Sequence, residues 1–138
     1  GSYITEPFFA KLTGAEADTA QFNVLKGNTK FLLKYLVLAW TLAAFGEEIV
    51  FRGFFVNKFA ALLGSTNKAL WAGVILSSVL FGIGHYYKGP AGMIDSTLSG
   101  LVFGSVYILS GRNLWVSIFA HGFTDTYGVL YFYLGYFE

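Results

Sequence analysis

Residues 69 to 87 run for 19 positions with no formal charge apart from a protonatable His85. That length matches the roughly 20 residues a helix needs to cross hydrocarbon. Comparable runs cover residues 31 to about 59 and 91 to 109, the latter with one charge, Asp95, near its start, and residues 114 to about 137, whose second half is dense in tyrosine and phenylalanine. The runs are too long for barrel strands and lack period-two alternation. A backbone in lipid must satisfy its own hydrogen bonds, so the predicted fold is an all-α membrane protein, a bundle of about four transmembrane helices. The competing architecture is a soluble helical bundle.

Composition favours the membrane. Hydrophobic residues make up 55% of the chain and charged residues 12%, about half the charge of an average soluble domain. The net charge of +1 points to neither a nucleic acid nor an acidic partner. With no cysteine, disulfides, thiolate metal sites and cysteine nucleophiles are excluded.

Turn signals separate the runs. Asn28 is the expected N-cap of the first helix; Gly64-Ser65-Thr66-Asn67, Lys88-Gly89-Pro90 and Gly111-Arg112-Asn113 mark the later breaks. Residues 1 to 27 mix charges with Phe8, Phe9, Phe22 and Leu25 and read as a polar, interfacial segment. Within it Gly1-Ser2 resembles an expression scar, and no secretory signal follows. Residues 28 to 138 form the membrane-embedded unit. Gly92, Ser96, Gly100 and Gly104 recur at four-residue spacing, a stripe that lets a neighbouring backbone approach and makes the third helix the expected packing spine. Lys11, Lys26, Lys30, Lys34 and Lys88 on one side, against Lys58, Lys68 and Arg112 on the other, favour a cytoplasmic N-terminus.

Within the apolar runs lie three short patterns: Glu47-Glu48-x-x-x-Arg52, Phe81-x-x-x-His85 and His121-x-x-x-Asp125. Ionisable groups in spans are costly and imply function. At about 100° per residue Glu48 and Arg52 share a helix face as an ion pair, while Glu47 points about 140° from Arg52 and must find its partner on another helix. Desolvated and unpaired, Glu47 suits a general base. Phe81 and His85 share a face beside Gly82 and Gly84. His121 and Asp125 also share one, where a carboxylate can orient an imidazole or both can contact one water or ion.

Taken together and in this order, the three patterns resemble the CPBP family, the CAAX protease and bacteriocin-processing membrane proteins also called the Abi family, which includes Rce1-type CAAX endopeptidases. The similarity covers roughly residues 28 to 137 and includes Arg52-Gly53 and Gly111-Arg112-Asn113-Leu114-Trp115. It implies the CPBP catalytic core of a glutamate-dependent intramembrane endopeptidase, a multi-pass protein of a prokaryotic cytoplasmic membrane. Its partners would be lipid and a peptide or protein substrate, lipidated or not. By that resemblance Glu47 and His85 activate the attacking water, His121 and Asp125 position water or stabilise the oxyanion, Glu48 and Arg52 hold the site, Phe81 supports it, and no cofactor is needed. Many members carry asparagine at the position of Asp125. An ionised Asp125 would repel an oxyanion, so here it is expected to orient His121 or to work in its neutral form.

Three alternatives remain at this level. Glu47, His85, His121 and Asp125 form an acceptable nitrogen and oxygen ligand set for zinc, although no His-Glu-x-x-His helix is present. A non-catalytic immunity or scaffold protein could use the same bundle as a binding surface. A proton-coupled carrier would explain the buried charges but calls for an inverted repeat that the sequence lacks.

One geometric conflict arises in advance. Glu47 lies about 27 Å along an ideal helix from Thr29, whereas His85 is close to the end of its own span. For the two to meet, the first helix must be displaced, begin with an interfacial turn, or bend near Gly46 or Gly53.

Overall fold

The computed structural model describes residues 6 to 16 and 18 to 136, and among them the regular structure is entirely helical. The scar expected at Gly1-Ser2 lies outside the described residues. A short helix α1 (Glu6–Thr13) and a 3-10 turn (Ala20–Leu25) precede four long helices: α2 (Thr29–Leu62), α3 (Asn67–Gly84), α4 (Gly89–Leu109) and α5 (Leu114–Leu134). Three segments, Thr29–Leu62, Asn67–Gly84 and Tyr86–Leu109, are long and apolar enough to cross a membrane. Helix α5 has 21 residues but falls outside that set; it carries Ser117, His121, Thr124, Asp125 and Thr126. The protein is an all-α membrane protein.

The caps read from the sequence are present. Asn28 accepts from the Phe31 amide at 3.3 Å, and Asn113 from the Trp115 amide at 3.1 Å. At the second break the cap is Thr66, which accepts from Ala69 at 3.1 Å, so α3 starts at Asn67, two residues earlier than expected. Gly89, at φ +74°, makes the left-handed turn into α4 with Pro90 in its first turn. Helix α5 ends at Leu134 because Gly135 adopts the left-handed conformation. Phe137, the expected last helical residue, lies outside the described residues.

Helix α2 departs from an ordinary α-helix. Over Ala39–Glu47 and Ile49–Val56 its backbone is π-helical, the wider form with bonds to the fifth residue back. Its carbonyls find extra donors there: Ser77 Oγ on α3 donates to Phe51 O at 2.7 Å, and Asn57 Nδ2 donates to Gly53 O at 2.9 Å and Arg52 O at 3.1 Å. Such side-chain donors let irregular backbone persist in a membrane protein. The helix is continuous through Gly46 and Gly53, so Glu47 and His85 come to line one cavity without a break in α2. At about 1.5 Å per residue its 34 residues would span roughly 50 Å, against about 30 Å of hydrocarbon, so its first turns lie outside the core or the helix tilts.

Helices α3 and α4 pack along the glycine stripe. A Cβ on Gly104 would stand 2.6 Å from Val74 Cγ1, and one on Gly100 would stand 3.1 Å from Ser78 Cα. On the α3 side, a Cβ on Gly82 would collide with Thr97 Oγ1. Gly104→Leu is therefore expected to cost about 1–3 kcal/mol or more by overpacking, read as a lower melting temperature in detergent. An unchanged melt would place the stripe against lipid. Near the N-terminus, Leu25 is fully buried against Val129 and Phe132 of α5, and Phe22 stacks on Phe132 with centroids 5.1 Å apart. The chain preceding α2 thus contributes apolar side chains to the bundle.

Candidate active site

Glu48 is the hub of the buried polar cluster. Its side chain is fully buried on α2. Oε1 accepts from Arg52 Nη1 at 2.8 Å and from His121 Nδ1 at 2.8 Å, while Oε2 accepts from Ser117 Oγ. Arg52 turns its other arm to Gly100 O at 2.9 Å. The guanidinium also faces two rings, 4.9 Å from the Phe81 centroid and 5.4 Å from that of Phe103, an arrangement that favours a desolvated cation. An isolated ion in this setting would cost several kcal/mol; paired and fully hydrogen-bonded, it can persist. The helix-face pairing of Glu48 with Arg52 holds. The packing stripe also contributes to the site through the Gly100 carbonyl, a role its spacing does not reveal.

His121 sits between carboxylates. Its ring stacks on Phe103, with centroids 4.6 Å apart and planes at 16°. Nδ1 is engaged by Glu48, and Nε2 faces Glu47 Oε2 at 3.8 Å and Asp125 Oδ2 at 3.4 Å. The two glutamates therefore do not serve separate surroundings, as 100° spacing suggests. They flank one imidazole, from a helix whose backbone is π-helical on both sides of Glu48. Asp125, given the orienting role in the sequence reading, approaches His121 at Nε2; the partner at Nδ1 is Glu48.

His85 lies past the last residue of α3, where it caps the helix, rather than within a span as its sequence position suggests. Burial, reinforced by the nearby positive charge of Lys88, pushes its imidazole down to about 4, so the ring is neutral at pH 7. Nδ1 is 2.7 Å from Phe81 O. A carbonyl can only accept, so Nδ1 carries the hydrogen and Nε2 keeps its lone pair. The Phe81 ring lies 4.5 Å from His85 and 6.0 Å from His121, centroid to centroid, and so touches both histidines and the arginine.

A cavity of about 400 Å³ is lined by Glu47, His85, His121 and Asp125 together. Its lining also includes the apolar Leu38, Leu42, Val129 and Phe132, and Phe22 from the segment before α2. Asp18 N donates to Lys88 O at 3.0 Å, tying that segment to the turn that follows His85. Among the described residues no group of three His, Asp or Glu side chains is arranged to hold a metal ion. The accessible edge of each histidine is Nε2, since both Nδ1 atoms are taken.

Ser117 and Phe103 are the site neighbours that the sequence reading does not single out. Ser117 offers only a faint signal, a lone uncharged serine one helical turn before His121 in an apolar stretch; Phe103 has none, being one of 15 phenylalanines.

The sequence profile of the Rce1-like family, type II CAAX prenyl endopeptidases, matches residues 29–127, from the start of α2 to just past Asp125. No curated protein and no solved structure matches the chain. The match takes in all three patterns that meet at the cavity and most of the chain, which thus belongs to the Rce1-like family of CAAX-type membrane endopeptidases.

Proposed function

We propose that the protein hydrolyses peptide bonds of membrane-associated substrates with a water activated by Glu47 and His85. The observation that carries this reading is the meeting of Glu47, His121 Nε2, His85 and Asp125 in one cavity of a protein from an endopeptidase family. Glu47 is about one-third exposed toward that cavity, open enough to meet water. Its carboxylate takes one proton from the water, while the other hydrogen stays on the oxygen and donates a hydrogen bond to the lone pair of His85 Nε2, which aims it. The oxygen attacks the carbonyl carbon. His121, with acceptors beyond both ring edges, suits a doubly protonated ring whose Nε2–H donates to the developing oxyanion. Collapse breaks the C–N bond, Glu47 returns its proton to the amine, and a new carboxyl end and a new amine leave.

The test is cleavage of an internally quenched CAAX-terminated peptide, with and without an S-prenyl group, by the protein in detergent or nanodiscs. Proteomic comparison of membranes carrying active protein or Glu47→Gln would name natural substrates. Cleavage of neither peptide, with identical membrane peptide profiles, would leave a non-catalytic bundle.

A zinc mechanism uses the same residues and is separated by one pair of measurements. Under the water-activation reading chelators leave cleavage unchanged and Asp125→Asn keeps activity within about fivefold, because an amide can still accept at His121 Nε2 and the exchange costs about 1 kcal/mol. Stoichiometric zinc, lost with activity in Asp125→Asn, would replace the glutamate mechanism with a metalloprotease.

A further inference from the structure

We infer that Ser117 is a positioning residue: with His121 one turn away on α5 it clamps the two oxygens of Glu48 and thereby sets the direction of His121 Nε2. The inference rests on the placement of His121 in the hydrolytic site. Ser117 is fully buried and has one hydroxyl proton for two acceptors, Glu48 Oε2 and Phe103 O, the latter 3.2 Å away. The carboxylate is the nearer and the charged acceptor, so it takes the proton.

Arg52 does not fix the carboxylate by itself. A bidentate guanidinium would grip both oxygens, but Arg52 gives one arm to Oε1 and the other to Gly100 O. Among the described residues Ser117 is the one donor to Oε2. Without it, a buried carboxylate oxygen lacks a partner, a cost of 1–3 kcal/mol or more. Rotation about the terminal carboxylate bond would then hand Oε2 to Arg52 and withdraw Oε1 from His121.

The stack on Phe103 cannot compensate. Parallel rings at 4.6 Å hold the tilt of the imidazole plane but do not by themselves stop the ring sliding sideways as the side chain swings about its Cα–Cβ bond. The bond from Nδ1 to Glu48 supplies the missing in-plane restraint, and Ser117 keeps its acceptor in position. Ser117 and His121, at i and i+4, share the face that points at Glu48.

The chain has two histidines, so this chain labelled with 15N-histidine in detergent gives two imidazole spin systems, assigned with His85→Gln. In Ser117→Ala the His121 Nδ1–H signal should shift or broaden. The kcat for the quenched CAAX peptide should fall about 10- to 100-fold, the scale on which metal-bound histidines lose activity when an orienting partner is removed, with KM within about threefold. Ser117→Thr, which keeps the hydroxyl, should restore both. Should the threonine variant not fold, Ser117→Ala decides alone. An unchanged His121 signal in Ser117→Ala overturns the inference, whether kcat is also unchanged or folded yield merely drops, since either result leaves Ser117 a packing residue. If wild-type protein cleaves no peptide, the hydrolytic reading fails, and the His121 signal still tests the clamp.

Discussion

Glu47→Gln should reduce peptide cleavage at least about 10³-fold and leave thermal unfolding in detergent nearly unchanged. General-base catalysis is worth about 10²–10⁴ in rate, and the amide removes that base while keeping the shape of the side chain. Stability should be spared because the Glu47 carboxylate is partly exposed and meets His121 Nε2 at 3.8 Å, beyond hydrogen-bond range. The two assays must separate: activity gone, melting within about 1 kcal/mol of wild type. Full activity in Glu47→Gln would remove the residue from the chemistry, and a collapsed melt would make its role structural.

The contrast with Glu48 shows what was legible in the sequence. The apolar runs, their turn signals and the caps Asn28 and Asn113 follow from local chemistry; both caps are present, although α3 begins two residues before its expected start and α5 falls outside the helices apolar enough to cross a membrane. The Glu48–Arg52 pair follows from i,i+4 spacing. What spacing could not supply is the π-helical form of α2, which depends on donors from elsewhere, Ser77 from the next helix and Asn57 from a turn further on. On that helix both glutamates meet one imidazole, so an angular argument built on 100° per residue separates two groups that the fold unites. Its place in the run 69 to 87 puts His85 inside a helix; α3 in fact ends at Gly84, and His85 is the cap, with its ring bonded to the Phe81 carbonyl. Ser117 escaped because a lone serine in an apolar helix carries no charge to mark it, and its meaning appears only when Glu48 is found opposite.

Arg52→Ala should sharply lower the yield of folded protein, with a loss of about 3–5 kcal/mol, the cost of leaving a buried charge without its partner. Three losses combine at this residue. Glu48 would keep its bonds to His121 and Ser117 but lose the cation that balances it. Gly100 O would lose its donor, and the space facing Phe81 and Phe103 would empty. Glu48→Gln should cost less, because an amide oxygen at the Oε1 position can still accept from both Arg52 and His121, while the NH2 group at the Oε2 position would face the Ser117 hydroxyl, which must turn from donor to acceptor. Because total stabilities are commonly 5–15 kcal/mol, the arginine variant approaches global unfolding, whereas the glutamine variant should survive with a lower melt. Arg52→Lys should fall between them, since an ammonium can reach one acceptor well but lacks the planar fork that spans Glu48 and Gly100. Size-exclusion yield and melting of the three proteins in detergent give the ranking. Arg52→Ala melting like wild type would mean that the buried charge of Glu48 is compensated elsewhere, and the hub would then lie outside the Glu48–Arg52 pair.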